Sequence, residues 1–321
     1  MGTSIRRVVI SFAAAFIANS AFAQQSYPDR AVRLIVPFAP GGGTDIVARV
    51  IAQRMSETLG QSVVVDNRPG AGGSIGEEMI VRATPDGYTL GLVSGYGTNA
   101  AIYKLSFDPV DDVQAVVAIG GAGFVVTVHP QVPIKSTKEL IAYAKANPGK
   151  LNYGSSGTGA ITHLATELFG LMAGIRMTHI PFKGTGPALT AILGNQVEMM
   201  FGSMPSTVPH VKGGRLRGFT VTTPQRVSAL PDIPTVAETL PGYEAVIVYG
   251  IMGPKGTPAA VVSRWNAAVN KIIQTQQMKE RLANDGMEPI GGAPDVFHGM
   301  IKRDVEKWQR VVKEAKLSFT S

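Results

Sequence analysis

Short apolar, β-branched runs alternate along the chain with longer stretches whose apolar positions recur every three or four residues. The short runs predict strands near 32–37, 62–66, 88–93, 113–119, 123–128, 151–153, 176–180, 197–201, 216–222 and 245–252. The longer periodic stretches predict helices near 44–59, 75–83, 136–146, 159–173, 185–194, 206–212, 258–274 and 294–315. Strand and helix in alternation argue for an α/β fold, with parallel or mixed sheets covered by helices on both faces. This many strands, with no low-complexity linker and no internal repeat, suits two lobes better than one sheet.

The division is set by two extended stretches, "GGAGFVVTVHP" (120–130) and "EAVIVYGIMGPKGTP" (244–258). If both are crossovers, the middle of the chain is a lobe inserted into the first one. Residues 24–124 and 249–321 then form lobe I, and 125–248 form lobe II. Small ligands favour domain interfaces and the carboxyl ends of strands, so the expected cleft lies between the lobes.

Two glycine-rich loops sit at such strand ends. "FAPGGGTDIVAR" (38–49) follows the first strand and opens a helix that Thr44 or Asp45 is placed to cap. One or two glycines make a tight turn, and three invite a ligand close to the backbone. "NYGSSGTGAITHLATELF" (152–169) repeats the arrangement in the middle block. A helix start with uncovered amides attracts an anion, and two such starts with several hydroxyls suit a carboxylate or phosphate. A third loop, "DNRPGAGGSIGEE", contains Gly72-Gly73-Ser74-Ile75-Gly76, which fits G-x-S-x-G. Arg68, Pro69, Gly70 and Ala71 intervene after the predicted strand, whereas a nucleophile elbow sits directly at a strand end. The match is fortuitous.

Composition removes other classes. The loops hold no G-x-G-x-x-G and no Walker motif, so no cofactor is expected. His129, His163, His179, His210 and His298 are widely spaced and have no cysteine partner, which predicts no metal site. The first residues have a basic start (Arg6, Arg7), an apolar run from Val8 to Ala18, and Ala21-Phe22-Ala23. This is the pattern of a secretory signal peptide over 1–23, cleaved after Ala23, and no Cys follows to carry a lipid. Periplasmic export is the simplest expectation. With no cysteine in the chain, the core must hold the fold without disulfides. The formal charge of +7 drops by two with Arg6 and Arg7. The remaining basic residues form no stripe, which argues against nucleic acid.

Several segments together carry a resemblance. "PFAPGGGTDIVARVIAQRMSETLGQSVVVDNRPGAGGSIG", "TPDGYTL", "NYGSSGTGAITHLATELF", "IPFKGTGPALTAILGNQVEMMFGSMPSTVPHVKGGRLR" and "LPDIPTVAETLPGYEA" resemble, in order, the Bug family of tripartite tricarboxylate transporter receptors. The resemblance runs from about Tyr27 to the C-terminus. It implies a type II periplasmic binding fold, closing as a monomer on a small carboxylate. It implies that backbone amides and ordered waters of the two loops hold that carboxylate. Carried over by position, the site comprises Phe38, Pro40, Gly41, Gly42, Gly43, Thr44 and Asp45 of the first loop. From the second loop come Ser155, Ser156, Gly157, Thr158 and Gly159, with His163 behind them. Ser94, Phe182, Lys183, Ser203 and Tyr249 complete the set. Members often have an aromatic where this chain has Val248, and "THAINP" where it has "TNAAIY" (98–103), so the acid cannot be borrowed from a relative.

The expectation is therefore a non-enzymatic receptor that delivers an organic acid to a membrane permease. One rival is the same fold handing its signal to a membrane sensor kinase. Another is a periplasmic hydrolase using Ser74, Ser155 or Ser156, which needs an aligned base that the sequence does not reveal.

Overall fold

The computed structural model describes residues 27–314. The expected signal peptide and its cleavage point lie outside the described residues. The strands are β1 (Val32–Val36), β2 (Val63–Asn67), β3 (Thr89–Ser94), β4 (Val113–Val128), β5 (Asn152–Ser155), β6 (Thr178–Pro181), β7 (Met199–Ser203), β8 (Arg217–Val221), β9 (Val246–Pro254) and β10 (Met287–Pro289). The helices are α1 (Gly43–Leu59), α2 (Ser74–Val81), α3 (Thr137–Ala146), α4 (Ile161–Ala173), α5 (Thr185–Leu193), α6 (Met204–Lys212), α7 (Ala259–Gln274), α8 (Gln276–Asn284) and α9 (Pro294–Glu314). Among the described residues no helix is long and apolar enough to cross a membrane.

The fold is α/β with a mixed sheet in the order β2-β1-β3-β9-β4-β7-β5-β6, β8 and β10 pairing with β4 off that path. β1 runs parallel to β2 and β3, and β5 runs parallel to β6 and β7. All pairings of β4 and β9 are antiparallel. β4 belongs to both halves of the sheet. Its residues Val113–Gly123 pair with β9, and Phe124–Val128 pair with β7.

Two expectations need correction here. The strands read as 113–119 and 123–128 are one strand. The glycines between them suggest a break, because glycine weakens a strand interior. In the sheet they allow a close approach instead: a Cβ on Gly120 would come within 2.7 Å of the Glu288 carbonyl oxygen on β10. β4 absorbs the irregularity as bulges between Ala115 and Val117 and between Ala118 and Gly120. The pattern also misses β10, whose three residues include a proline, and α8, which buries only Met278 and Leu282.

The largest core cluster runs through both halves of the sheet. Trp265 and Trp308 anchor it in the first half, and Tyr153, Phe169 and Phe201 in the second. Burying an aromatic or aliphatic side chain of this size contributes about 1.5–3 kcal/mol. A disulfide-free chain thus has a continuous core, and the strand ends it fixes carry the site.

Candidate functional site

A small enclosed cavity lies where the two halves meet. Phe38, Thr44, Ser94, Phe124, Ser156, Ile161, Thr162, Thr185, Ser203, Ile247 and Tyr249 line it, around a volume of about 10 Å³. That is room for about one water. Seven of the lining side chains carry a hydroxyl and none carries a charge.

Helix starts supply much of the wall. Thr44 is the second residue of α1, Ile161 and Thr162 open α4, Thr185 opens α5, and Ser203 is the N-cap of α6. None of these four helices has a side-chain cap. Each helix N-terminus carries roughly half a positive charge. These starts turn partial positive charge toward the cavity without a lysine or arginine in its wall, and the Asp45 carboxylate in the first turn of α1 offsets that of one helix.

Most of the hydroxyls pair within their own half, and one bond crosses between the halves. Thr44 Oγ1 and Ser94 Oγ lie 2.7 Å apart, and so do Ser156 Oγ and Thr162 Oγ1. Ser203 Oγ lies 2.9 Å from Ser206 Oγ and accepts from Gly43 N at 3.3 Å. Tyr249 Oη is buried and has no hydrogen-bond partner of sound geometry. Burial pushes this phenol up, and the adjacent Ser203 hydroxyl pulls the other way.

The triple glycine does two jobs. A Cβ on Gly43 would come within 2.8 Å of both Ser203 Oγ and Tyr249 Oη. A Cβ on Gly42 would come within 3.3 Å of Gly186 N and 3.4 Å of the Thr185 Cβ, in the other half of the molecule. Neither Thr44 nor Asp45 caps α1, because the helix starts a residue earlier, after Gly42. Asp45 instead accepts from Gly41 N at 3.0 Å and pairs with Arg49 at 2.9 Å. Burial pushes its carboxyl up, but the bonds from Arg49, Gly41 and Asn67 outweigh it and hold the group below the usual range.

The second loop is built on a column of rings. His163 and His179 stack with centroids 3.9 Å apart, and Tyr153 stacks on His179. His163 Nδ1 accepts from Gly159 N at 3.2 Å. Ser155 Oγ accepts from Gly157 N at 3.1 Å and lies 2.5 Å from His179 Nε2. Beneath, Tyr153 Oη bonds Glu167. Burial pushes His163 down to about 3, aided by the charge of His179, and burial pushes His179 down to about 4. Both rings are neutral at pH 7 and act as supports.

The structure thus separates the expected residues. Phe38, Thr44, Ser94, Ser156, Ser203 and Tyr249 line the cavity. Pro40, Gly41 and Phe182 line a groove outside it. Gly157 and Thr158 meet Gly72, and the Gly159 carbonyl accepts from Thr98 Oγ1 at 3.2 Å. The Lys183 side chain is exposed, while its carbonyl accepts from Ala39 N at 2.9 Å. Ser155 and His163 lie below the loop and outside the cavity lining. Ser155 has the aligned histidine that a hydrolase would need, but its oxygen is turned to Gly157 N. Sequence reasoning misses Phe124, Ile161, Thr162, Thr185 and Ile247. Thr162 and Thr185 carry a signal, each a threonine just after a glycine-rich stretch at a helix start. Phe124 and Ile247 look like any strand residue. Among the described residues no group of three His, Asp or Glu side chains could hold a metal ion.

The chain is similar to known proteins over nearly its whole length. The family described as "Tripartite tricarboxylate transporter family receptor" matches residues 47–317. Protein BugT of Bordetella pertussis is 35% identical over 308 residues, covering 93% of this chain and 94% of that protein. A protein of R. palustris solved with adipate superposes with a TM-score of 0.88 at 35% identity, covering 91% of this chain and 99% of that one. MatC of Rhodopseudomonas palustris, solved with bound malate, gives 0.85 at 31% identity, covering 89% of this chain and 100% of that one.

Proposed function

This chain belongs to the tripartite tricarboxylate transporter receptor family, and on that premise we propose that it captures a small organic acid in the periplasm and delivers it to the membrane permease of such a transporter. The observation that carries this reading is the cavity wall: four uncapped helix starts and seven hydroxyls, with no charged side chain. An anion there receives charge-assisted hydrogen bonds, roughly twice as strong as neutral ones. The adipate and malate bound to the two relatives make a carboxylate the anion to test.

In this reading lobe I (24–124 and 249–321) and lobe II (125–248) open to admit the acid and close on it. Phe38, Gly43, Thr44 and Ser94 receive it from lobe I, and Ser156, Thr162, Thr185 and Ser203 from lobe II, with Tyr249 at the floor. Closure excludes water, so each hydrogen bond acts in a low dielectric. Export after cleavage at Ala23 places the receptor in the same compartment as the permease's outer face.

A thermal-shift screen of mono-, di- and tricarboxylates, amino acids and aromatic acids tests the proposal. A ligand at a hundred times its dissociation constant stabilises the fold by about 2.7 kcal/mol. A full panel without a shift would reject the receptor reading. The proposal includes no turnover, supported by the burial of Ser155 outside the cavity lining. Ester hydrolysis abolished by Ser155→Ala would favour the hydrolase instead.

A further inference from the structure

We infer that Gly186 is a positioning residue for ligand capture: it lines no part of the enclosed cavity, yet it sets affinity by letting the backbones of the two lobes meet. The inference rests on the receptor reading above and adds to it a residue outside the site.

Gly186 is the second residue of α5. Its backbone does not lie in the left-handed region, so nothing local calls for glycine. Glycine inside a helix costs about 1 kcal/mol relative to alanine. The reason for it lies across the cleft. A Cβ on Gly186 would overlap the Pro40 carbonyl oxygen and come within 3.0 Å of Gly41 C and Gly42 N. The first glycine loop therefore rests directly on the start of α5, main chain against main chain. Ala39 N donates to the Lys183 carbonyl at 2.9 Å in the same seam. Gly72 repeats the contact elsewhere in the seam: a Cβ there would overlap the Thr158 carbonyl oxygen, and one on Gly157 would come within 2.9 Å of Gly72 Cα. Gly72 also needs its positive φ of 63°, so its contribution to closure cannot be isolated by substitution. Gly186 can be changed without that complication.

One methyl group at position 186 is compatible with α5 and incompatible with the closed seam. Interfaces of this kind close fully or stay apart, because packed backbone does not compress. Gly186→Ala is expected to keep or raise the melting temperature while weakening capture. Gly42→Ala, on the facing loop in extended backbone with a contact of 3.3 Å, is expected to do the same to a smaller degree.

The chain has no cysteine, so spin labels can be placed site-specifically. Val64→Cys on β2 and Leu171→Cys on α4 put labels on exposed positions of the two halves, which are 52% and 48% accessible. Double electron–electron resonance then reads the lobe separation, with and without the acids of the screen. A short-distance population in the wild-type background that is lost in Gly186→Ala and reduced in Gly42→Ala is the expected result. With an acid that binds, Gly186→Ala should raise Kd at least tenfold. The inference is overturned if Gly186→Ala keeps the wild-type distances, or if the wild type never populates the short distance. If distances shift as expected but no acid binds, the seam stands and the receptor reading falls. Lys138→Ala, on the exposed side of α3 and away from the seam, is the control and should change neither distance nor affinity.

Discussion

The rings of His163 and His179 lie face to face, 3.9 Å between centroids and 10° from parallel, directly under the second glycine loop. His163 Nδ1 must be unprotonated to accept the Gly159 N–H. A proton there would set donor against donor and add a charge beside a second buried ring.

This gives a pH dependence with a definite sign. Both groups titrate lower in the fold, at about 3 and about 4, than their ordinary 6.5. The unfolded chain therefore binds more protons between those limits, and stability rises with pH there. The contribution is complete above pH 6.5 and is lost as pH falls toward 3. His163→Asn keeps an acceptor for Gly159 N and removes one of the two titrations. Melting temperatures from pH 4 to 7 should fall less steeply in acid for this variant than for the wild type. Parallel profiles would show that His163 does not govern acid stability.

Glu77 runs in the opposite direction. It is 1% exposed in the first turn of α2, and its Oε2 receives Asn99 Nδ2 at 3.4 Å. Burial pushes it up to about 8, against a smaller lowering from Asn99. The folded state then holds a proton that the unfolded chain releases above 4.5, so this group's contribution is full below 4.5 and is lost as pH rises toward 8. Glu77→Gln keeps the acceptor for Asn99 and should stabilise the protein by up to roughly 3 kcal/mol at pH 7, since each tenfold change in a protonation equilibrium is worth about 1.4 kcal/mol. The gain should disappear near pH 4.5 in denaturant melts. A gain that is constant with pH would mean that the carboxyl is not held neutral.

Tyr249 should trade stability for function. Its hydroxyl is buried without a hydrogen-bond partner, and an unsatisfied buried polar group costs about 1–3 kcal/mol. Tyr249→Phe removes that cost, so its melting temperature should equal or exceed that of the wild type. Its affinity for the acid should drop several-fold by calorimetry, because the orphan hydroxyl faces the cavity. Unchanged affinity would leave Tyr249 as a wall only.

Ser156 and Lys183 should part company. Ser156 lines the cavity and pairs with Thr162, whereas the Lys183 side chain is exposed. Calorimetry on a panel of acids should show a new rank order for Ser156→Ala and affinities within about twofold of wild type for Lys183→Ala, a surface change worth little. A changed rank order in the lysine variant would mean that its side chain folds into the cleft when ligand binds.

Side-chain periodicity is local, so the alternation of strands and helices can be read along the chain without any knowledge of packing. The same holds for helices that begin after glycine-rich loops, and so for the amides offered at strand ends. Thr44, Ser94, Ser156, Ser203 and Tyr249 can be named from that pattern and a resemblance. What those loops face is a matter of packing alone. Gly42 meets Gly186, 144 positions further along the chain, and Gly72 meets Gly157. No local pattern records such a meeting, since a glycine that turns a loop and one that admits another backbone are written with the same letter. Phe124 and Ile247 escape notice for a related reason. Strand periodicity says that a residue is buried, and only the packing of β4 against β7 and β9 says whether it is buried in the core or beside the cavity.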